Sequence, residues 1–400
     1  MVKKTIQTNW QTKKLDEVCD LITCGVAARP NYVVNGTPFL SAKNVKNGQV
    51  IWNGFNCISE STHKELTKNN KPMVGDILYT RVGSYGEAAV VEDNIEFSIF
   101  VSLTLIKVNK NLLNNYFLKY YLNSSYIKSL AKSSISSSGV GNLNVGSVRD
   151  FPISFPPIPE QRRIVKILDE AFEKTAKAKE NAEKNLQNAK ELFESYLHSV
   201  FTNSGKDWEE EELGDICEVE YGYTEKAKNN GDYRFVRITD TDENGLLTKE
   251  NKMYIDSFDG ADKYVLNDGD LLMARTGASA GNVLLFEGDE DAVFASYLIR
   301  MKFKKEILSK LYWYFSKSKI YWDQVSQLSA GSAQPQFNGG ALKQVIFSYP
   351  KFFSEQKAIV AHLDALSAET KKLESIYKQK LTNLEELKKS VLKKAFSGQL

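Results

Sequence analysis

One long uninterrupted stretch, residues 160–201, limits most strongly what this chain can fold into. It contains neither proline nor glycine and is about three times as long as an ordinary globular helix. This stretch has a 3.5-residue period typical of a coiled coil, in which a partner helix must cover the stripe. Residues of the type found between paired helices recur there in steps of three and four: Ile164, Leu168, Ala171, Thr175, Ala178, Ala182, Asn185, Ala189, Leu192 and Tyr196.

A second stretch of the same chain can supply the partner. The first stripe has alanine at several positions where the second has leucine or tyrosine, and small residues pack well against large ones, so we expect an intramolecular pair. Direction stays open, because a parallel in-register pair also satisfies the stripe. An antiparallel register with paired numbers summing to 555 matches Ala171 with Leu384, Ala178 with Tyr377, Ala182 with Leu373 and Ala189 with Leu366. Adding 195 to each number gives the second stripe: Ile359, Leu363, Leu366, Thr370, Leu373, Tyr377, Lys380, Leu384, Leu387 and Val391.

The rest of the sequence is duplicated with nearly the same period. Because the matched segments keep the same order, we interpret the chain as one globular unit followed by one long helix, present twice. We predict an α+β (mixed α/β) fold with pseudo-two-fold organisation, since short β-branched and aromatic runs bounded by Gly, Asp and Asn alternate with helical spacing. The expected segments are globular domains at 1–155 and 203–350 and helices at 156–202 and 351–400. The matches are LDEVC (15–19) with LGDIC (213–217), GTPFLSAKNV (36–45) with GDYRFVRITD (231–240), GDILYTRVGSYG (75–86) with GDLLMARTGASAG (269–281), and EQRRIVKILD (160–169) with EQKAIVAHLD (355–364).

Charge and cysteine content exclude some classes of function. Residues 11–155 carry a net charge of +4 and residues 202–354 a net charge of −7, so nonspecific adhesion of the second domain to nucleic acid is disfavoured and a local basic face would be needed. The four cysteines form no CxxC pair, which argues against structural zinc and favours a reducing, cytoplasmic location. No run of about 18 apolar residues and no apolar leader occur, so we expect no membrane span.

The duplicated order resembles that of a known protein family. PPIPEQRRIVKILD at 156–169 closes a domain and opens a long helix, SEQKAIVAHLD at 354–364 repeats this junction, and two GD(I/L)L…RxG segments lie at equivalent places. Together these segments resemble the specificity subunit of type I restriction–modification systems, over nearly the whole chain. The second copy departs once, where YPKFFSEQ replaces FPPIPEQ.

The resemblance implies a host-defence protein whose two target-recognition domains each read one half of a bipartite double-stranded DNA site. It also implies that two antiparallel helices set the gap between half-sites and dock two methyltransferase subunits, which as many as two restriction subunits can join. No cofactor is implied for this chain; S-adenosylmethionine belongs to the methyltransferase, and ATP with Mg²⁺ to the nuclease-translocase. The sequence agrees that this chain is not catalytic, because it lacks GxxxxGK(S/T) and (N/D)PP(Y/F).

Two arginines, Arg81 and Arg275, follow the matched GDILYT and GDLLMA runs and precede glycine loops. Such an arginine suits a phosphate or a guanine edge, but one that closes a buried ion pair would give the same pattern. Asn144 and Asn338 are expected to cap or brace a turn. Ser84, Tyr85, Thr276 and Ser279 in the following loops are candidates for base contact that could instead belong to solvated turns. The candidates at the end of the matched strand differ between the copies, as expected of different half-sites or of simple loop drift: Lys43, Asn44, Arg237, Thr239 and Asp240.

Two other classes of function stay open at this point. Duplicated domains on a coiled coil could form a structural adaptor that binds proteins rather than DNA. A self-contained enzyme is the third alternative, and methyl transfer or cleavage by the chain alone would reveal it. Salt-dependent binding to duplex DNA in the presence of a methyltransferase subunit would distinguish a DNA-specificity subunit from a protein-binding adaptor.

Overall fold

The chain folds into two compact units that repeat the same order of main elements. The computed structural model describes residues 9–83, 85–135, 141–203, 205–242, 245–248, 250–288, 290–329 and 336–400. Unit 1 comprises residues 1–183 and 379–400, and unit 2 comprises residues 184–378, so the boundary falls within both long helices.

Unit 1 is built from short strands and helices that end in the first long helix. Its strands are β1 (Gln11–Lys14), β2 (Cys19–Cys24), β3 (Tyr32–Val33), β4 (Thr37–Leu40), β5 (Val45–Lys46), β6 (Gln49–Val50), β7 (Asn56–Ile58), β8 (Ile77–Thr80), β9 (Ala88–Val90), β10 (Ser98–Ile99), β11 (Leu103–Val108) and β12 (Pro152–Phe155). Its helices are α1 (Glu60–Leu66), α2 (Asn115–Leu122), α3 (Ser125–Ser133), α4 (Val145–Arg149) and the start of α5 (Ile158–Thr202), with 3-10 turns at Leu15–Val18 and Ala42–Asn44.

Unit 2 repeats this plan and ends in the second long helix. Its strands are β13 (Trp208–Glu212), β14 (Cys217–Tyr221), β15 (Tyr233–Val236), β16 (Tyr254–Ile255), β17 (Leu271–Ala274), β18 (Val283–Leu285), β19 (Ala292–Phe294), β20 (Leu298–Phe303) and β21 (Ile346–Pro350). Its helices are α6 (Leu213–Ile216), α7 (Ser309–Phe315), α8 (Lys319–Leu328), α9 (Gly339–Lys343) and α10 (Phe353–Phe396), with 3-10 turns at Ile238–Asp240, Ala261–Lys263 and Gly277–Ser279.

The main antiparallel sheets of the two units correspond strand by strand, whereas in the described residues the second sheet has four strands in unit 1 and three in unit 2 and the β5-β6 pair belongs to unit 1. An antiparallel sheet has the order β2-β11-β8-β9 in unit 1 and β14-β20-β17-β18 in unit 2. A second sheet contains a parallel pair in each unit, β4 with β10 and β15 with β19. The first and last strands of each unit also pair, β1 with β12 and β13 with β21. The sequence prediction of a duplicated mixed α and β unit is confirmed.

The matched GDIL and GDLL runs form the central strands, and both faces of each strand are buried. In β8, Ile77 and Tyr79 face one apolar cluster and Leu78 faces another. In β17, Leu271 and Met273 face one cluster, whereas Leu272 and Ala274 face another. A strand covered on both faces reads as a continuous apolar run, which explains why this segment is the clearest strand signal in each half.

The long helices run antiparallel. In unit 1, the Nζ of Lys179 lies 2.9 Å from Oε1 of Glu385, and Lys388 lies over the ring of Phe172 at 5.2 Å. Residue numbers therefore rise along α5 while they fall along α10, which excludes the parallel alternative. No helix in the described ranges is long and apolar enough to cross a membrane.

The predicted helix stripe is buried near the globular cores but drifts along the helices. Its buried members are Ile164, Leu168, Ala182, Ala189, Leu363 and Thr370, and its partly buried members are Ala171, Thr175, Ala178, Tyr196, Ile359, Leu366, Tyr377, Leu384 and Val391. Leu192, Leu373 and Leu387 are 60%, 38% and 49% exposed. A straight α-helix repeats every 3.6 residues, so its buried face drifts by about 20° per heptad against a strict 3.5-residue repeat. The 555 register itself is wrong by several residues, because the pairs in contact in unit 1, Lys179 with Glu385 and Phe172 with Lys388, have numbers that sum to 564 and 560.

Candidate nucleic-acid interface

The two candidate arginines occupy the same place in the backbone of each unit. Arg81 follows β8 and its N–H donates to the carbonyl of Ser102 at 3.0 Å, while Arg275 follows β17 and its N–H donates to the carbonyl of Tyr297 at 3.0 Å. Each arginine carbonyl accepts from a residue before a short helix, Leu143 at 2.8 Å and Phe337 at 3.0 Å. The duplication therefore fixes the position of both arginines, and any difference between them lies in their side chains.

The side chain of Arg81 is used inside unit 1. It is buried, its Nε donates to the carbonyl of Leu143 at 2.9 Å, and its two terminal nitrogens donate to the carbonyl of Val101 at 3.0 Å and to Oδ1 of Asn142 at 3.1 Å. These partners are neutral, so the arginine does not close the buried ion pair considered from the sequence. In this arrangement Arg81 joins three segments of unit 1 and is a brace.

The side chain of Arg275 has different surroundings. Its guanidinium carbon lies 5.4 Å from the ring centre of Tyr221 and 5.7 Å from that of Tyr297. Both tyrosines are exposed at the surface, whereas Nε of Arg275 is buried without a hydrogen-bond partner among the described residues. Arg275 is thus held mainly by contact with two aromatic rings, with about 0.5–2 kcal/mol expected per cation–π contact.

The two candidates at the end of the matched strand in unit 1, Asn44 and Lys43, have different roles. Asn44 is buried, and its Oδ1 accepts from the N–H of Ser41 at 3.1 Å while its Nδ2 donates to the carbonyls of Ile51 and Asn53. Lys43, beside it, is exposed. A structural brace and a surface lysine therefore lie next to each other in the same 3-10 turn.

The equivalent turn of unit 2 is closed by an ion pair. Asp240 is buried and accepts from the N–H of Arg237 at 3.0 Å, as Asn44 does from Ser41. The guanidinium of Arg237 lies 2.7 Å from Oδ1 of Asp240, and the hydroxyl of Thr239 donates to the same oxygen at 3.3 Å. Asn44 therefore corresponds to Asp240 in structure, one residue away from the match made on sequence.

The loop candidates lie near the arginines. Thr276 is partly buried and bridges to Gln336, and Ser279 is partly exposed at the end of the 3-10 turn that follows. Tyr85 is partly exposed close to Gly141. Ser84 lies outside the described residues. The loops after β8 and β17 thus bring polar side chains beside Arg81 and Arg275.

The two asparagines expected to cap or brace turns are helix N-caps. Oδ1 of Asn144 accepts from the N–H of Gly146 at 2.9 Å at the start of α4, and Oδ1 of Asn338 accepts from the N–H of Ala341 at 3.0 Å at the start of α9. An N-cap side chain satisfies a backbone donor that the helix leaves free. These caps hold the starts of α4 and α9, directly after Leu143 and Phe337, whose N–H groups donate to the carbonyls of Arg81 and Arg275.

Sequence reasoning missed a pair of buried glutamines that attach each globular part to its long helix. Gln161 accepts from the N–H of Asn114 at 2.7 Å and donates to the carbonyls of Leu112 and Pro156, each at 2.8 Å. Gln356 makes the same three types of bond in unit 2, to Leu308, Glu306 and Pro350. The EQ dipeptide present at both junctions was the available signal, because an uncharged amide in a helix otherwise rich in charge requires a reason.

Many acidic groups of unit 2 are paired within the unit. Glu220 lies 2.5 Å from the buried guanidinium of Arg300. Burial alone would raise the pKa of Glu220, but Arg300 and Lys302 outweigh it and lower this pKa. Glu290 likewise pairs with Arg234 at 3.0 Å. These ion pairs leave the net charge of residues 202–354 at −7, so contact of unit 2 with a polyanion still depends on a local basic face.

The four cysteines are free, and burial raises the pKa of the Cys19 and Cys217 thiols to about 12. Such thiols are poor nucleophiles and poor metal ligands at neutral pH. Within the described parts of the chain, no group of three or more His, Cys, Asp or Glu side chains is arranged to hold a metal ion.

Comparison with solved structures shows the same fold. The HsdS subunit from Thermoanaerobacter tengcongensis matches with a TM-score of 0.64 at 18% identity, over 100% of this chain and 99% of that chain. A chain from a structural study of complex assembly and conformational transition of the type I R-M system matches with a TM-score of 0.79 at 18% identity, over 99% of this chain and 100% of that chain. At this identity the likeness establishes the fold alone.

Sequence comparison establishes the family. The type I restriction enzyme MjaVIII specificity subunit of Methanocaldococcus jannaschii is 26% identical over 272 residues, which are 62% of this chain and 62% of that protein. The chain spans 53% and 62% of the length of two curated relatives that it matches. The model of the type I restriction modification DNA specificity domain matches residues 7–187 and 205–383, once in each half. The chain therefore belongs to the family of type I restriction modification DNA specificity proteins.

Proposed function

We propose that this chain is the DNA-specificity subunit of a type I restriction–modification complex, in which each globular part reads one half of a bipartite double-stranded site. The observation that carries this function is the pair of loops after β8 and β17. Their backbones are anchored identically, yet the side chains on them differ between the units. Two domains with the same backbone arrangement and different side chains in these loops suit a DNA site whose two halves differ in sequence. Membership of a DNA-specificity family disfavours the protein-binding adaptor.

Recognition without catalysis requires partners that perform the chemistry. We assign methyl transfer to two methyltransferase subunits that hold S-adenosylmethionine, and DNA translocation and cleavage to restriction subunits that use ATP and Mg²⁺. The long helices carry exposed apolar side chains, Leu192 and Ile376 in unit 2 and Leu387 in unit 1. We assign the docking of protein partners to these helices, and Leu192, Ile376 and Leu387 are the side chains at which that assignment can be tested.

Replacing one globular part tests this function. The chain is combined with its methyltransferase subunit, and residues 203–350 are exchanged for the equivalent segment of a relative that has a different motif. Sequencing of methylated DNA should show a change in one half of the motif and no change in the other. The chain without its partner is the control and should transfer no methyl group. Alteration of both halves in a folded chimera, or methylation by the chain alone, would contradict the proposal.

A further inference from the structure

The two positions that flank the candidate arginine differ in size between the units. Gly25 and Gly222 are equivalent. The N–H of Gly25 donates to the carbonyl of Leu103, the first residue of β11, and the N–H of Gly222 donates to the carbonyl of Leu298, the first residue of β20. Cys24 in unit 1 thus corresponds to Tyr221 in unit 2. Ser102 likewise corresponds to Tyr297, because their carbonyls accept from Arg81 and Arg275. The positions that hold tyrosines beside Arg275 in unit 2 hold small residues in unit 1.

Unit 2 also makes room for one of these tyrosines. The hydroxyl of Tyr221 accepts a hydrogen bond of 3.0 Å from the N–H of Gly339, at the start of α9. A Cβ at residue 339 would lie 2.9 Å from that hydroxyl oxygen, so a side chain there would displace the ring. Unit 1 has Val145 after its capping asparagine, where no tyrosine needs the space. Tyr221 is therefore fixed at its hydroxyl, and its ring supports Arg275.

Arg275 has no competing acidic partner within the described part of unit 2. Other arginines there are paired, Arg234 with Glu290, Arg237 with Asp240 and Arg300 with Glu220. No salt bridge involves Arg275 among the described residues, and the sequence of residues 330–335, AGSAQP, contains no acid. In a segment of net charge −7, an arginine left for an external partner is an exception that needs a reason.

We propose that Arg275, clamped between Tyr221 and Tyr297, is the residue through which unit 2 recognises a guanine in its half-site, whereas Arg81 braces unit 1 and reads no base. This inference rests on the proposed function and adds which residue reads and what it reads. Tyr221 and Tyr297 are positioning residues that hold the plane of the guanidinium.

The geometry favours a base over a phosphate. A guanidinium presents a planar fork that binds O6 and N7 of guanine through two parallel hydrogen bonds, and such a contact requires a fixed orientation. The rings of Tyr221 and Tyr297, centred 5.4 and 5.7 Å from the guanidinium carbon of Arg275, limit the movement of this group. A phosphate contact needs mainly charge, which a flexible surface lysine such as Lys43 supplies without a clamp.

The decisive variant is Arg275→Lys, which keeps the charge and removes the fork. The full chain and its methyltransferase subunit are given a randomised duplex library, and methylated sites are sequenced. The wild-type complex should require a guanine at one position of one half-site, with about ten- to one-hundredfold preference. Arg275→Lys should accept other bases at that position only, with every other position of the motif retained.

Matched variants separate reading from folding. Arg81→Lys should lower the melting temperature and leave the motif unchanged. Tyr297→Ala should relax the same position as Arg275→Lys, and Tyr297→Phe, which keeps the ring, should restore the guanine requirement. Melting temperatures of all four proteins establish that the sequenced sites come from folded chains.

Two outcomes would overturn the inference while the proposed function stands. An unchanged motif with weaker binding to every sequence would make Arg275 a phosphate contact. An unchanged motif with unchanged affinity would place it away from DNA. If the wild-type complex methylated without sequence preference, the proposed function itself would fail, and the assignment of Arg275 would fail with it.

Discussion

The hydroxyl of Tyr314 donates a 2.6 Å hydrogen bond to Oδ1 of Asp364, which ties α7 to the long helix α10. Tyr120 makes the same bond to Asp169 at 2.5 Å and ties α2 to α5 in unit 1. With Gln161 and Gln356, these bonds attach each globular part to the start of its helix at two equivalent points.

Removing the hydroxyl of Tyr314 should weaken unit 2 at neutral pH. Tyr314→Phe keeps the ring and loses the bond to Asp364, so we expect about 1 kcal/mol less stability in urea unfolding at pH 7. Lys310 also faces Asp364 at 3.0 Å and keeps that carboxylate partnered, which limits the loss. A loss above about 3 kcal/mol would mean that the ring itself has moved.

The same tyrosine should contribute to alkaline unfolding. Burial and the Asp364 carboxylate raise the pKa of Tyr314 well above its usual value. An unfolded tyrosine loses its proton near pH 10, so this contribution to stability is present below about pH 10 and is lost as pH rises further. Urea midpoints between pH 9 and 11 should fall less steeply for Tyr314→Phe than for wild type. Parallel curves for the two proteins would contradict this assignment.

The buried glutamines should be costly to truncate. Gln161→Ala leaves the N–H of Asn114 and the carbonyls of Leu112 and Pro156 without this partner, and each unsatisfied buried group costs about 1–3 kcal/mol. We expect a loss of at least about 2 kcal/mol in denaturant unfolding. Arg162→Ala, at the exposed next position, is the control and should change stability by less than about 0.5 kcal/mol.

Glu220→Gln should expose the dependence of unit 2 on one ion pair. Arg300 is 2% exposed and would lose its closest carboxylate, so we expect a loss of about 3 kcal/mol. The pKa of Glu220 is lowered in the folded chain, so its contribution is present above the unfolded value near 4.3 and is lost as pH falls further. The variant should therefore show less acid sensitivity than wild type below about pH 4.5. Equal acid sensitivity of Glu220→Gln and wild type would show that the Glu220–Arg300 pair does not contribute to acid unfolding.

Two substitutions on α5 should behave oppositely. Ala182 is fully buried, so Ala182→Leu should overpack its surroundings and cost about 1–3 kcal/mol. Leu192 is 60% exposed, so Leu192→Ala should leave the isolated chain within about 0.5 kcal/mol of wild type. Thermal unfolding measures both. A stable Ala182→Leu variant would show that the helices do not pack tightly at this point.

Lengthening both helices tests their role as a spacer. Four residues inserted near Asn185 and four near Lys380 add about 6 Å to each helix and slightly more than one turn, which keeps the apolar face roughly in phase. The unread gap in the methylated motif should grow by about one or two base pairs. The bases read in each half should stay the same, and an unchanged gap would contradict the spacer hypothesis.

The duplication made the fold predictable, because a strand or helix recognised in one half could be checked in the other. The phase of the helix stripe was less accessible. Asn185 and Leu192 continue a 3.5-residue pattern, but Leu186 and Phe193 are the partly buried residues. A sequence shows which period fits the side chains, whereas the actual period depends on how far the helices supercoil.

The different side-chain contacts of the two arginines could not be predicted from their shared motif. Arg81 and Arg275 share the RxG context, but the side chain of Arg81 bonds to Val101, Asn142 and Leu143. That of Arg275 lies against Tyr221 and Tyr297, and all of these partners are distant in sequence. The structural role of Asn44 was equally unpredictable. The sequence around an asparagine does not show whether its side chain bonds to the backbone of its own turn or contacts DNA.

The repeated attachment by Gln161 and Gln356 has a consequence for how such chains can change. Because both helices hold their globular parts through the same amide bonds to backbone atoms, and backbone atoms are present whatever the sequence, the attachment places little demand on the loops beyond it. We therefore expect that exchange of one globular segment can yield a folded protein in a single recombination event. Under the proposed function, such an exchange would replace the recognition of one half-site while the junction with the long helix stays the same.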